Sequence, residues 1–371
     1  MGEPPHRNHT ALNIGYAMSR LHSLASAARS VRLLGLVGLM AAALQAGAQA
    51  PPPPIIDMHL HALSADGQGP PPIALCMPFG EWPVWDQREP YPMVFMKVLK
   101  NPSCANPVWS PRTDSALLAQ TLEVVERRNI FALLSGEPKH MPKWLAAAPH
   151  RFTASLSVSG GANGTIVPSL DQAREALTSG PYKAMGEVGT QYAGIAPSDE
   201  RLAPYWALAE QLDVPVGIHV GTGPPGVIYL GAAGYRARLH SPLTMEEVLV
   251  KHPALRVYLM HAGWPMLDEL LAMLYAHPQL HMDVGVIAMV LPREEFHAWL
   301  ARIVRAGFHK RVMFGSDQMQ WPGGIERAID AIESAPFLSA SQKRDIFYHN
   351  AARFLRLSEA EIARHHRGGR Q

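Results

Sequence analysis

The stretch "PPPPIIDMHLHALSADG", residues 51–67, sets two histidines one residue apart, behind an apolar pair and ahead of a polar turn. Prolines on one side and an Asp-Gly pair on the other bracket a short apolar run, the pattern of a strand. A strand turns successive side chains to opposite faces, so positions i and i+2 share a face. Over 55–61 that alternation sends Asp57, His59 and His61 one way and Ile56, Met58 and Leu60 the other. The apolar face can pack on helices while both imidazoles reach one point. Two neutral imidazoles at one point suit a divalent metal. A plainer reading stands beside it: two histidines that cap a strand, in a chain with 18 histidines.

The same kind of run recurs. "NIFALLSG" begins at Asn129, "RFTASLSV" at Arg151, "YKAMGEVG" at Tyr182 and "VPVGIHVG" at Val214. "RVYLMHAG" follows at Arg256, "LHMDVGVI" at Leu280 and "RVMFGSDQ" at Arg311. Helical patterns separate them over 114–128, 169–179, 199–212, 244–252, 266–277, 293–306 and 324–334, with a weaker one over 140–148. Strands alternating with helices imply parallel pairing. Eight such units predict an α/β fold, a single (β/α)8 TIM barrel with a long loop after the first strand. A doubly wound open sheet competes, but it calls for an early Gly-rich phosphate loop, which the sequence lacks.

In a barrel the C-terminal strand ends converge on one mouth, where active sites sit. The predicted ends carry His59 and His61 (first strand), Glu187 (fourth), His219 (fifth), His261 (sixth) and Asp317 (eighth). So many liganding residue types at one end of a barrel favour a metal centre over scattered core polar groups.

The whole chain narrows the partners. Its 371 residues are 47% apolar with a formal charge of +2, and no long basic run lies outside the tails. That points to a small-molecule substrate and away from nucleic acid or an anionic membrane. Residues 1–48 read as an export signal: Arg29 and Arg32, an apolar core over 33–44, then Ala46-Gly47-Ala48 before the cut, with Met18 an alternative start. An uncleaved anchor is the other reading. Either places the barrel, 49–357, in the periplasm or outside the cell. Cys76 and Cys104, the two cysteines, are read either as a disulfide or as two free buried thiols. Residues 358–371, rich in histidine and arginine, are expected to be a mobile basic tail.

The pieces "IIDMHLH", "VGIHVG", "VYLMHAGWP" and "MFGSDQMQWP" resemble the amidohydrolase superfamily, in its amidohydrolase-related (amidohydrolase 2) branch of metal-dependent hydrolases. "NAARFLRL", from Asn350, is similar to that branch's closing C-terminal helix. The resemblance spans about residues 55–357 and implies a metal-dependent hydrolase that cleaves an amide, lactone or ester of a small organic substrate with metal-activated water. It is equally similar to mononuclear decarboxylases of aromatic or unsaturated acids. A non-catalytic periplasmic binding protein is the alternative outside the enzymes.

The resemblance also implies the ligand set. In a two-ion layout His59, His61 and Asp317 hold one ion, His219 and His261 the other, and Glu187 bridges. In a one-ion layout His59, His61, His219 and Asp317 bind, and His261 is a free acid or base. Zinc suits this nitrogen and oxygen set, and manganese is the alternative. Asp317 and His261 are the catalytic candidates. Many relatives bear a carboxylated lysine on the fourth strand; here Lys183 lies nearer the barrel bottom, so Glu187 is favoured. Arg236 and Arg238, after the fifth strand, can receive a substrate carboxylate. Trp264 and Trp321 follow two ligands directly and can line the pocket, and Trp82, Trp85, Tyr91, Phe95 and Trp109 in the long first loop can cover it. His281 and Asp283 are left outside the site. A homodimer through the outer helices is expected by analogy.

Overall fold

Every predicted strand forms. In the computed structural model, which describes residues 51–369, β1 is Ile55–Ala62, β2 Ile130–Gly136, β3 Phe152–Gly160 and β4 Tyr182–Val188. The remaining four are β5 Val216–His219, β6 Val257–Met260, β7 His281–Asp283 and β8 Val312–Met313. They pair in sequence order, each parallel to the next. A parallel bridge from Leu60 to Gln318 joins the last strand's end to the first. Backbone bonds from Met58 N to the Phe314 carbonyl (2.9 Å) and from Asp317 N to the His59 carbonyl (2.7 Å) complete that seam. The result is a nearly closed eight-stranded parallel barrel, as the alternation predicts.

The crossover helices follow the predicted ones to within a few residues. α1 is Asp114–Arg127, α2 Met141–Ala147, α3 Leu170–Thr178 and α4 Ala203–Gln211. α5 is Glu246–Lys251, α6 Leu267–Ala276, α7 Arg293–Arg305 and α8 Gly323–Glu333. Their starts show the chemistry of the sequence. Thr113 accepts from the Ala116 N–H, and Ser169 with Gln172 forms a capping box. The main apolar cluster joins strand residues such as Leu60, Leu134, Val216 and Val257 to Leu117, Leu208, Phe296 and Ile325 of the helices. Each fully buried side chain of this kind contributes about 1.5–3 kcal/mol.

β1 departs from strict alternation. Its register against β2 shifts between Asp57 and Leu60. Ile56 and Met58 join a second cluster with Leu133, Tyr258, Met313, Tyr348 and Phe354, whereas Leu60 belongs to the first. An irregularity of this sort re-aims the side chains beyond it.

The long loop after β1 is built rather than loose. It holds a two-residue antiparallel pair (Ala74–Leu75 with Val108–Trp109), the helix Tyr91–Lys100 and a Cys76–Cys104 disulfide with Cα atoms 5.8 Å apart. Tyr91 donates its hydroxyl to the Pro225 carbonyl at 2.9 Å, and Trp85 packs on Tyr229 with centroids 4.6 Å apart. These contacts fasten the first loop to the loop after β5.

The expected mobile tail is corrected. Ser358 and Glu361 form a capping box on the helix Glu359–His366. His365 is buried and stacks on Phe131 at 3.7 Å, and the Gly368 carbonyl accepts from Arg151. Phe131 on β2, with Asn129, Tyr348 and Arg151, all distant in sequence, docks this histidine-rich segment. Among the described residues no helix is long and apolar enough to cross a membrane. The expected export signal lies outside the described residues.

Candidate metal centre

All six expected ligands meet at the C-terminal end of the barrel. Their metal-binding atoms form three overlapping triads, His59–His261–Asp317, His59–His61–Glu187 and Glu187–His219–His261, each with atoms within 4.8 Å. Asp317 Oδ1 lies 3.0 Å from His61 Nε2 and 3.4 Å from His59 Nε2. Glu187 Oε2 lies 3.6 Å from His61 Nε2 and 3.8 Å from His59 Nε2, while its Oε1 is 2.5 Å from His219 Nδ1. Glu187 thus stands between the two histidine pairs. Lys183 is exposed at the other end of β4. Solvent reaches 22% of the Glu187 side chain but only 8% of Asp317 or His61 and none of His59.

Backbone geometry explains the crowding. A Cβ on Gly285 would sit 2.8 Å from His59 Nδ1, and one on Gly315 would sit 3.0 Å from both His59 Cβ and Asp283 Cγ. Both glycines let the chain close on the imidazole. His261 and Asp317 take φ of 62° and 51°, a left-handed conformation uncommon outside glycine. Strain of this kind gathers at functional sites.

The rings are oriented from behind. His61 Nδ1 is 3.0 Å from the Ser135 hydroxyl, which leaves Nε2 facing the carboxylates. His261 Nδ1 lies 3.1 Å from the Gly285 carbonyl. A carbonyl only accepts, so that nitrogen carries the proton and Nε2 offers its lone pair towards His219 Nδ1, 3.0 Å away. Asp283, set aside on sequence grounds, belongs here. It is fully buried, its Oδ1 accepts from the His261 and Gly285 N–H groups, and its Oδ2 faces His59 Nδ1 at 3.3 Å.

The electrostatics favour a cation. Burial opposes charge on His59, but Asp317 and Asp283 outweigh it and hold its pKa well above the usual histidine range. Burial likewise opposes charge on Glu187 and Asp317, but the neighbouring histidines keep both below the ordinary carboxylate values. His261 is pushed down to about 4 by burial first and His219 second, so it is a neutral donor. Both nitrogens of His59 are buried without a well-aligned hydrogen bond. An orphaned buried imidazole ringed by carboxylates fits a divalent ion.

The other expected contacts lie apart from this cluster. Arg236 is exposed and donates to the Ala233 and Tyr235 carbonyls. Arg238 lines a neighbouring cavity of about 540 Å³ with Thr222, Thr244, Pro265 and Glu269. Trp264 is half-buried, with its indole N–H 3.4 Å from Glu295. Trp321 is buried and donates to the Ile73 carbonyl, which props the first loop. Two residues that the sequence did not mark stand close in. The Tyr192 hydroxyl is 3.3 Å from His219 Nε2, and the His240 ring packs edge-on to His219 at 5.0 Å.

Solved structures share the architecture. An uncharacterized TIM-barrel protein from Bordetella bronchiseptica superposes with a TM-score of 0.54 at 18% identity, over 84% of this chain and 99% of that one. A probable 2-pyrone-4,6-dicarboxylic acid hydrolase from Acinetobacter baumannii gives 0.51 at 13% identity, over 82% and 99%. A putative amidohydrolase from Staphylococcus aureus gives 0.51 at 10% identity, over 82% and 99%. No curated protein matches the chain. The profile of one family, described as Amidohydrolase, matches residues 56–357, which takes in every strand but the first residue of β1 and all six clustered ligands; the chain belongs to that amidohydrolase family.

Proposed function

We propose that the protein is an exported metal-dependent hydrolase that cleaves an amide, lactone or ester bond of a small organic substrate. The observation that carries this reading is the placing of Glu187 between the His59–His61 pair and His219–His261, which suits a carboxylate shared by two divalent ions. His59, His61 and Asp317 would hold one ion and His219 and His261 the other, with zinc the best match to the donors. When bound, such ions lower the pKa of water towards about 7 and polarise a carbonyl oxygen.

The chain's own residues do the rest. Asp317 is kept ionised by His59 and His61, so it is ready to accept a proton and hand it to the leaving group. Its Oδ2 lies 3.8 Å from His261 Nδ1. Asp283, Ser135 and Gly285 hold the imidazoles in place. The disulfide supports a location outside the cytoplasm, since such bonds persist in oxidising compartments.

The test is metal content by elemental mass spectrometry after zinc or manganese supplementation, with Glu187→Gln beside the parent. About two ions per chain in the parent and about one in the variant are expected, together with turnover in an ester, lactone and amide panel. One ion in both, with carbon dioxide released from an aromatic acid, would replace this reading with the mononuclear decarboxylase.

A further inference from the structure

The cavity of about 540 Å³ that Arg238 lines lies between the segments that follow β5 and β6. Thr222, just past β5, forms part of its wall, as do Pro265 and Met266, just past β6. A bond from Thr222 N to the Trp264 carbonyl (3.1 Å) ties the two segments together. A volume of this size suits a small molecule, and small-molecule pockets are mostly apolar with a few placed polar groups. Leu243, Pro265 and Met266 supply the apolar surface here.

Of the lining residues only Arg238 and Glu269 carry charge, and their signs are opposite. Neither side chain forms an ion pair among the described residues, with the other or with any third group. Two further polar side chains are already engaged within the wall. Ser241 donates its hydroxyl to Glu269 Oε2 and accepts from Leu243 N at 3.1 Å, and Thr244 donates to the Ser241 carbonyl at 2.7 Å. Glu269 is thus held by one oxygen with the other free, and the Arg238 guanidinium has no protein acceptor.

We infer that this cavity is a binding site for a small zwitterion with an apolar body, the chemistry of a free aliphatic amino acid. The planar fork of Arg238 matches the ligand's carboxylate, and the free oxygen of Glu269 matches its ammonium. Leu243, Pro265 and Met266 take the aliphatic part out of water. Opposed charges also set what the cavity refuses. An acid without an amine meets Glu269 with nothing to offer it, and an amine without an acid does the same at Arg238. A zwitterion answers both and brings no net charge. None of this draws on an ion at the His59–Asp317 cluster, so the site stands or falls apart from the proposed hydrolysis.

The test is calorimetric titration of the full protein with two zwitterions, L-leucine and 6-aminohexanoate, whose charges stand at different separations. Beside them run 4-methylpentanoate and 3-methylbutylamine, which keep one charge each, and glycine, which lacks the apolar body. At least one of the two zwitterions should bind about tenfold or more tightly than each of these three, the ratio of one charge-assisted hydrogen bond or one buried aliphatic group. Arg238→Gln and Glu269→Gln should each remove that advantage. Glu269→Gln keeps an acceptor for Ser241, and Arg238 is exposed, so both variants should melt with the parent. If one of them does not fold, the other decides.

The site is overturned if neither zwitterion outbinds the single-charge compounds, or if the advantage survives either substitution. Amino acids also chelate zinc, and binding of that origin would survive both.

Discussion

Nδ1 of His59 faces Oδ2 of Asp283 across 3.3 Å, and neither side chain is exposed. The carboxylate sits behind the ring while Asp317 and Glu187 face its other nitrogen. Partners of this kind fix ring orientation and raise the basicity of a ligating imidazole. Asp283→Asn keeps an acceptor for the His261 and Gly285 N–H groups but loses the charge. Its zinc affinity, read by chelator competition, should fall about 10–100-fold. Unchanged affinity would remove Asp283 from the metal centre.

Gly285→Ala probes the same pair by volume. The added methyl meets His59 Nδ1 at 2.8 Å and Asp283 Oδ1 at 3.1 Å, with no flexible side chain to yield. Overpacking of this sort costs about 1–3 kcal/mol. Gly80→Ala is the control, because nothing lies within 4 Å of its Cβ. Urea unfolding should separate the two, with the control within about 0.5 kcal/mol of the parent. Equal stabilities would show that the backbone around His59 yields easily.

The disulfide closes a sequence separation of 28 residues in the loop after β1. The chain-entropy account assigns such a link about 3–4 kcal/mol. Replacing Cys76 and Cys104 together by Ser should lower stability by up to that amount, and a reductant should do the same to the parent. Identical unfolding curves with and without reductant would mean that the loop is held by its aromatic contacts alone.

His365 gives a pH signature away from the metal centre. Burial, with a smaller push from Arg364, lowers its pKa to about 4, against about 6.5 when unfolded. Between those values the unfolded chain binds a proton that the folded chain refuses. The stability it contributes is therefore full above pH 6.5 and is lost as pH falls towards 4. His365→Phe keeps the stack on Phe131 and removes the titration. Metal-free parent should lose more stability than this variant between pH 7.5 and pH 5, measured by thermal unfolding. Parallel losses would place the acid sensitivity elsewhere, with His281, also lowered to about 4, the next group to test.

The barrel was legible because its strands announce themselves locally, as apolar runs bounded by turns. His59, His61, His219, His261, Glu187 and Asp317 were legible for a related reason: each lies within four residues of a strand's C-terminal end, and the barrel gathers strand ends. Asp283 was visible as a polar residue on β7, but its service to His59 depends on a neighbour that only closure supplies. His240 lies in "RLHSP", where no period marks it, and its burial comes from a loop folding onto Tyr192 and Tyr235. Trp321 follows Asp317 closely, yet its N–H turns to Ile73, a direction that proximity in the chain does not encode. The C-terminal helix was hidden too, because its basic, histidine-rich composition suggests solvent until Phe131 is seen beneath His365.

Glu187 is the most open of the six clustered side chains. A molecule arriving from solvent therefore meets a negative charge before it meets an imidazole. A cation is drawn in by that charge, whereas an acid or a polarised ester is turned back until the cation has neutralised it. Under the proposed function, that charge favours loading the ion before the organic ligand.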